Sequence, residues 1–243
     1  MSNLFSSFVK KTVLGTKNNL VSLDEPYHAI ARLLKNFQIT GIIDAGASNG
    51  HISKRLLRNF PKANVYGFEP NSLYANTLLQ YAKEDSRFSP YFVALSDHEG
   101  TADLQKTSSP GSTSLFTPGK YLKKLDPHGT SVRSTEKVKV TTIDQWSIRN
   151  GNPAIQLMKF DIQGGELKAL QGATRLLNNS TLLIYTEVLF NSLYDNGAIF
   201  CEIDLFLRKQ GFVLHDIYKP KYDSNGLLLW GNAIYLHAEK IGV

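Results

Sequence analysis

The sequence predicts an α/β fold, doubly wound around a mostly parallel sheet whose last strand runs antiparallel. Three observations carry this. Short apolar runs alternate with segments of helical apolar spacing along most of the 243 residues, the rhythm of βαβ units in a sheet covered on both faces. The first apolar run passes through spaced glycines into a helical pattern, the arrangement that presents free helix amides to a ligand. No repeat and no convincing linker divides the chain, so one large folding unit is expected.

Residues 24–37 read as a helix, with acidic residues and Pro26 at its start and Ile30, Leu33, Leu34 and Phe37 on one face. A strand follows at 41–44. A helix at 49–60 carries Ile52, Leu56, Leu57 and Phe60. Pro61 and Asn64 end it, and residues 65–69 form the second strand. Asn71 caps a third helix with Leu73, Leu78 and Leu79. The next strand, 88–95, is interrupted near Pro90. From 100 to 144 the rhythm changes. Residues 100–106 form a small extra strand, 137–143 alternate like a half-exposed one, and 107–119 are a loop rich in Ser, Thr, Pro and Gly. Strand 154–161, helix 167–177, strand 182–188 and helix 198–210 then resume the alternation. Gly211 caps that helix before a strand at 212–217. Residues 227–237 read as one closing strand, in which Gly231 and Asn232 mark a bulge, although a hairpin turn suits the same pair. The organisation expected is an N-terminal helical segment, 1–40, packing on a core domain, 41–243, with an inserted loop or lid at about 100–144. Within the first segment Phe5, Phe8, Val9 and Val13 suit a short amphipathic helix.

Composition excludes several classes. The hydrophobic share of 42% and charged share of 20% are those of a globular protein. The net charge of +6 is mild, and a nucleic-acid partner would need it clustered. Cys201 is alone, so no intrachain disulfide framework forms. No apolar stretch approaches the roughly 20 residues of a membrane helix, and residues 1–20 hold no apolar block long enough for a signal peptide. A cytoplasmic protein with no membrane span is expected.

Two segments carry chemistry. In the first, Asp44 precedes Gly46 and Gly50 where a strand opens into a helix. The spacing is neither that of nicotinamide-binding loops nor that of phosphate loops. An acid before the glycines would repel a pyrophosphate but suits a ligand carrying an ammonium group. Glu69 ends the next strand 25 residues later, where a carboxylate can accept two ribose hydroxyls. Together they fit S-adenosylmethionine. In the second segment Asp161 ends a central strand, at the sheet edge where open α/β sheets bind ligands. Glu166 falls in the first turn of the next helix and is expected to hold the Gly164–Gly165 turn.

The run Lys159, Phe160, Asp161, Ile162, Gln163, Gly164, Glu166, Leu170, Gly172, Ala173 resembles the signature of the FkbM-type S-adenosylmethionine-dependent methyltransferases. So do the loop from Asp44 to Gly50, Phe68-Glu69-Pro70, Ala94 to Asp97 with Gly100, Val140 to Asp144, and Thr186-Glu187-Val188. The likeness spans roughly residues 40–237 in the family's order. It implies a class I, Rossmann-like methyltransferase fold that modifies hydroxyl oxygens, often of sugars or glycosylated metabolites. By the same resemblance Asp44, Gly46, Ser48, Asn49 and Gly50 would hold the methionine end of the cofactor and Glu69 its ribose. Ser96 and Asp97 would edge the adenine. Gly165 departs from the larger residue common in the family and is expected to loosen its turn.

Methyl transfer is in-line displacement, chiefly a positioning task, with a carboxylate taking the acceptor's proton. Asp161 is the first candidate for that base and also faces the cofactor; Glu187, on the neighbouring strand, is its partner. The pair could instead orient the acceptor or share a divalent ion, for which two carboxylates are a thin case. His51, after the loop, reads as a surface residue. Tyr121, Tyr185 and Tyr194 are candidates to stack on a sugar, and the basic stretch 119–139 would suit a phosphorylated or acidic acceptor. The expected partner is a small molecule or glycan with a free hydroxyl. A nucleic-acid methyltransferase is the rival enzyme, disfavoured because base methylation usually uses an Asn/Asp-Pro-Pro-aromatic strand end. A non-catalytic S-adenosylmethionine-binding module is the rival of another class.

Overall fold

A computed structural model describes residues 25–243. The expected amphipathic helix around Phe5 to Val13 lies outside the described residues, as does the rest of 1–24.

The described residues open with α1 (Pro26–Leu33), whose first amides are held by the Glu25 carboxylate. Then come β1 (Gly41–Ala45), α2 (His51–Asn59), β2 (Asn64–Phe68), α3 (Ala75–Glu84) and β3 (Phe88–Tyr91). The strand expected over 88–95 divides: after β3 the chain leaves the main sheet, and β4 (Ala94–Leu95) joins a second one. There β6 (Val132–Thr141) pairs in parallel with β4 and antiparallel with β5 (Gly100–Thr107). The segment between β5 and β6 carries a short helix, α4 (Lys120–Leu125). After α5 (Ile143–Arg149) the main sheet resumes with β7 (Leu157–Phe160), α6 (Glu166–Gln171), α7 (Thr174–Asn179), β8 (Leu183–Leu189), α8 (Phe200–Lys209), β9 (Phe212–Tyr222) and β10 (Leu228–His237), before a last turn of helix, α9 (Ala238–Ile241).

The seven-stranded sheet runs β3-β2-β1-β7-β8-β10-β9, with β10 antiparallel to both its neighbours. The closing segment is therefore one strand, Leu228–His237, and the register shifts beside Gly231 as a bulge does. The order reverses between β1 and β7, so the carboxyl ends of these two strands form the switch point where such sheets bind ligands.

Side chains alternate across the sheet into two cores. Ile42, Val65, Phe88 and Leu157 face α1, α2 and α3, meeting Ile30, Leu56 and Leu78. Ile43, Phe68, Met158 and Ile184 face α5 to α8, meeting Trp146, Leu170, Leu177 and Leu207. Trp146 of α5 packs edge-on against Tyr66, Phe68 and Tyr91, at centroid distances of 4.8, 5.2 and 5.4 Å.

Three expectations change. Asn71 caps not the helix itself but a 3₁₀ turn, Ser72–Tyr74, ahead of α3, and of Leu73, Leu78 and Leu79 only Leu78 is buried; Leu79 follows it by one residue and so points about 100° away. The half-exposed strand ends at Thr141, and α5 starts on Thr142, whose hydroxyl caps the Gln145 amide. The helix expected over 167–177 breaks at Gly172, where any side chain would collide with the Ser96 carbonyl. Asp144 of α5 then caps the second piece, accepting the Arg175 and Leu176 amides at 2.8 and 3.2 Å.

Removing the indole of Trp146 empties the centre of the cluster. Trp146→Ala is expected to lose about 3–5 kcal/mol of stability, a melting point roughly 10 °C lower. Thermal and urea unfolding check it; a loss below about 1 kcal/mol, the level of a surface substitution, would contradict it.

Candidate functional site

Two cavities meet at the carboxyl ends of β7 and β8. The first, ≈ 280 Å³, lies under the loop between β1 and α2. The second, ≈ 1080 Å³, opens between α4 and the β9–β10 turn. Gln163 and Glu187 line both.

The loop after β1 is built for close approach. Gly46 has φ +77, and a Cβ there would fall on the Asp161 carbonyl oxygen, so β1 and β7 can pinch together only with glycine at this position. Lys159, inside β7, is buried and reaches under the loop. Its ammonium donates to the Ala45 and Gly46 carbonyls at 3.1 and 2.9 Å and pairs with Asp44 at 3.1 Å. Burial pulls the Lys159 pKa down, but Asp44, Asp161 and Glu69 outweigh it and hold the amine above its usual value. The other oxygen of Asp44 accepts the Ser53 hydroxyl of α2 at 2.6 Å. Asp44 is thus fully buried and behind the cavity wall, where sequence reasoning had it touching the ligand.

Glu69 does line the first cavity. Its two oxygens accept the Ser48 and Asn71 amides at 2.9 Å each, and burial raises its pKa. Gly46 and Ser48 are on the wall; Asn49 and Gly50 are not. Asn49 instead accepts the His51 amide and meets the His51 ring at the start of α2. His51 is exposed but sits on the cavity's edge. Ser96 and Asp97 also fall off the wall: Ser96 is buried and donates to Asp97 at 3.0 Å. Val93, Ala94, Leu95, Phe68 and Leu104 form the apolar side in their place.

At the junction the Gln163 amide nitrogen donates to Asp161 at 2.8 Å and to Glu187 at 3.1 Å, while its carbonyl accepts the Tyr194 hydroxyl at 2.7 Å. The motif backbone is locked by Glu166, which accepts the Ile162 and Gly164 amides at 2.8 and 2.9 Å. Burial raises the Glu166 pKa to about 7. The turn at Gly165 is therefore clamped rather than loosened. Burial also pushes Glu187 well up, with Asp161 and Glu166 adding to it. Asp161 is exposed to the first cavity only.

Residues 107–119 cover both cavities and are tied down: the Ser114 hydroxyl donates to the Gln163 carbonyl at 2.6 Å, and the Gly119 amide to Leu193 at 2.8 Å. The basic stretch does not form a positive roof. Of its lysines and arginine only Lys124 lines either cavity; Lys137 pairs with Asp103, and Arg133 donates to Ser108. Tyr185 is buried against Tyr27, away from both cavities, whereas Tyr121 and Tyr194 line the second. Among the described residues no cluster of three or more His, Cys, Asp or Glu is arranged for a metal ion. Nor is any described helix long and apolar enough to cross a membrane.

Sequence reasoning missed Lys159, Gln163, Tyr222 and Trp230 as wall residues. Lys159 left a signal: a lysine inside the apolar run Leu157-Met158-Lys159-Phe160 of a central strand must find a carboxylate.

This sheet order, with its cavity at the switch point, defines the class I, Rossmann-like methyltransferase fold. Residues 44–214 match the Methyltransferase FkbM domain. The chain belongs to the FkbM methyltransferase family, whose dependence on S-adenosylmethionine implies that cofactor. The 2-O-methyltransferase NoeI of Sinorhizobium fredii is 28% identical over 159 residues, covering 63% of this chain. The aligned part is 65% of that enzyme's length. A crystal structure of an FkbM methyltransferase from Methylobacillus flagellatus superposes with a TM-score of 0.52 at 16% identity, over 82% of this chain and 44% of that one; it supports the fold alone.

Breaking the buried pair leaves one charge stranded. Lys159→Met is expected to lose about 3–5 kcal/mol, and the double variant with Asp44→Asn to lose less than the sum of the two single changes. A urea-unfolding double-mutant cycle checks it; strict additivity would contradict the coupling.

Proposed function

We propose that the protein is an S-adenosylmethionine-dependent O-methyltransferase acting on a hydroxyl of a sugar, glycan or glycosylated metabolite. The observation that carries this reading is the meeting of a smaller cavity and a larger cleft at one half-buried carboxylate, Glu187. The first cavity fits the cofactor's chemistry. Glu69, with both oxygens already oriented by backbone amides, keeps lone pairs for ribose hydroxyls. Phe68, Leu95 and Leu104 give the adenine an apolar face, and Asp161 offers an anion to the methionine ammonium.

Bound there, S-adenosylmethionine supplies an electrophilic methyl group. The chain's part is to hold an acceptor hydroxyl at the junction and to accept its proton as the new bond forms. Glu187 is the better base of the two candidates, because it faces both cavities while Asp161 faces one. Its raised pKa also brings its basicity closer to neutral pH, where proton transfer is most effective. Asp44 contributes through Lys159, by fixing the loop. Oxygen as the methylated atom agrees with the name of the NoeI relative. A cytoplasmic location belongs to the same reading, with lone Cys201 left as a free thiol.

S-adenosylmethionine or its demethylated product at about 100 times its dissociation constant is expected to stabilise the protein by about 2.7 kcal/mol, a melting-point rise of roughly 5–10 °C. No rise with either ligand would defeat the reading. Glu187→Gln should keep the ligand-induced rise yet lose about 10²- to 10⁴-fold in turnover. For the unaltered enzyme kcat should climb with pH through a limb above the usual carboxylate range, since only ionised Glu187 accepts the proton. Turnover that survives Glu187→Gln would remove Glu187 as the base.

A further inference from the structure

The second cleft has a wall chemistry that selects among acceptors. We infer that it is the acceptor site and that it takes an uncharged saccharide of several rings, not a phosphorylated or acidic sugar. The inference rests on the methyl-transfer reading above, which gives the cleft's floor, Gln163 and Glu187, its meaning.

Size comes first. At ≈ 1080 Å³ against ≈ 280 Å³, the cleft offers far more room than its neighbour, beyond what one sugar ring needs. Charge comes second. Lys124 is the lone cation among the wall residues, which also include Asp126, Asp223 and Glu187. A phosphate or carboxylate would enter against three carboxylates, and like charges at such an approach are costly. Apolar surface comes third. Tyr222 and Leu227 are 53% and 47% exposed on the β9–β10 side, beside Trp230. Aromatic side chains lining a cleft suit the apolar faces of sugar rings.

The two walls are also joined by a polar contact of the kind a saccharide can replace. The Tyr121 hydroxyl of α4 donates to one oxygen of Asp223 at 2.7 Å. The other oxygen of Asp223 accepts the Asn225 and Leu227 amides at 2.8 Å each, which fixes the turn carrying the aromatic wall. Sugar hydroxyls entering the cleft meet donors and acceptors that are already held in place.

The chain's two tryptophans make the test direct, because Trp146 is buried in the core and Trp230 lines the cleft. Acrylamide quenching of tryptophan fluorescence is measured on protein saturated with S-adenosylhomocysteine, whose binding is first established by calorimetry. Cellotetraose, maltotetraose and xylotetraose at millimolar concentration are compared with glucose 6-phosphate and glucuronate. The expected result is severalfold protection from quenching by at least one neutral tetrasaccharide, none by the charged sugars, and loss of the effect in Trp230→Phe. With the protecting saccharide as acceptor, Trp230→Ala should raise KM about tenfold while leaving S-adenosylhomocysteine binding unchanged. The inference is overturned if no neutral saccharide protects, if the charged sugars protect equally, or if KM is unmoved in Trp230→Ala. Failure of S-adenosylhomocysteine to bind at all would instead strike the methyl-transfer reading itself.

Discussion

The arrangement of the site depends on one buried ion pair. Lys159 crosses from β7 to the end of β1, bonds to the carbonyls of Ala45 and Gly46, and is balanced by Asp44, which Ser53 holds from α2. Three elements and the glycine loop are thereby joined through one ammonium group. An unpaired charge at this depth would be expelled or neutralised, so the pair dictates how closely β1 and β7 approach. Gly46 allows that approach, and the cavity forms where the two strands end.

The carboxylates around the site divide their tasks by environment. Glu166 and Glu69 are each clamped by two backbone amides and shape the two loops they sit in. Asp161 and Glu187 share the Gln163 amide and point toward space. Glu187 faces both cavities and burial raises its pKa, while exposed Asp161 faces one; in the mechanism proposed the first is the proton acceptor and the second a ligand contact.

Most of the main sheet was legible in the sequence, because buried central strands and amphipathic helices leave strong periodic signals. The failures have local causes. A 3₁₀ turn at Ser72–Tyr74 holds Leu73 outside the helix, and Leu79 lies about 100° round from buried Leu78. Transfer of β4 into a second sheet is a tertiary event with no periodic trace. The start of α5 did leave a trace, Thr142 three residues before Gln145, a capping pattern set directly after the alternation of the strand. In the site, the motifs located the cavity and brought Glu69, Asp161 and Glu187 onto its wall. Asp44, Ser96 and Asp97 lie off that wall, since a motif gives position along the chain but not which way a side chain turns. For Asp44 the deciding partner was Lys159, more than a hundred residues away.

The measurement that tests the central claim most directly is a crystal structure with S-adenosylhomocysteine bound. The ligand should lie in the cavity beneath the β1–α2 loop, with its ribose hydroxyls on Glu69, its ammonium toward Asp161 and its sulfur facing Glu187 across the junction. A ligand seated elsewhere, or one whose sulfur turns away from the second cleft, would contradict the assignment of the two cavities.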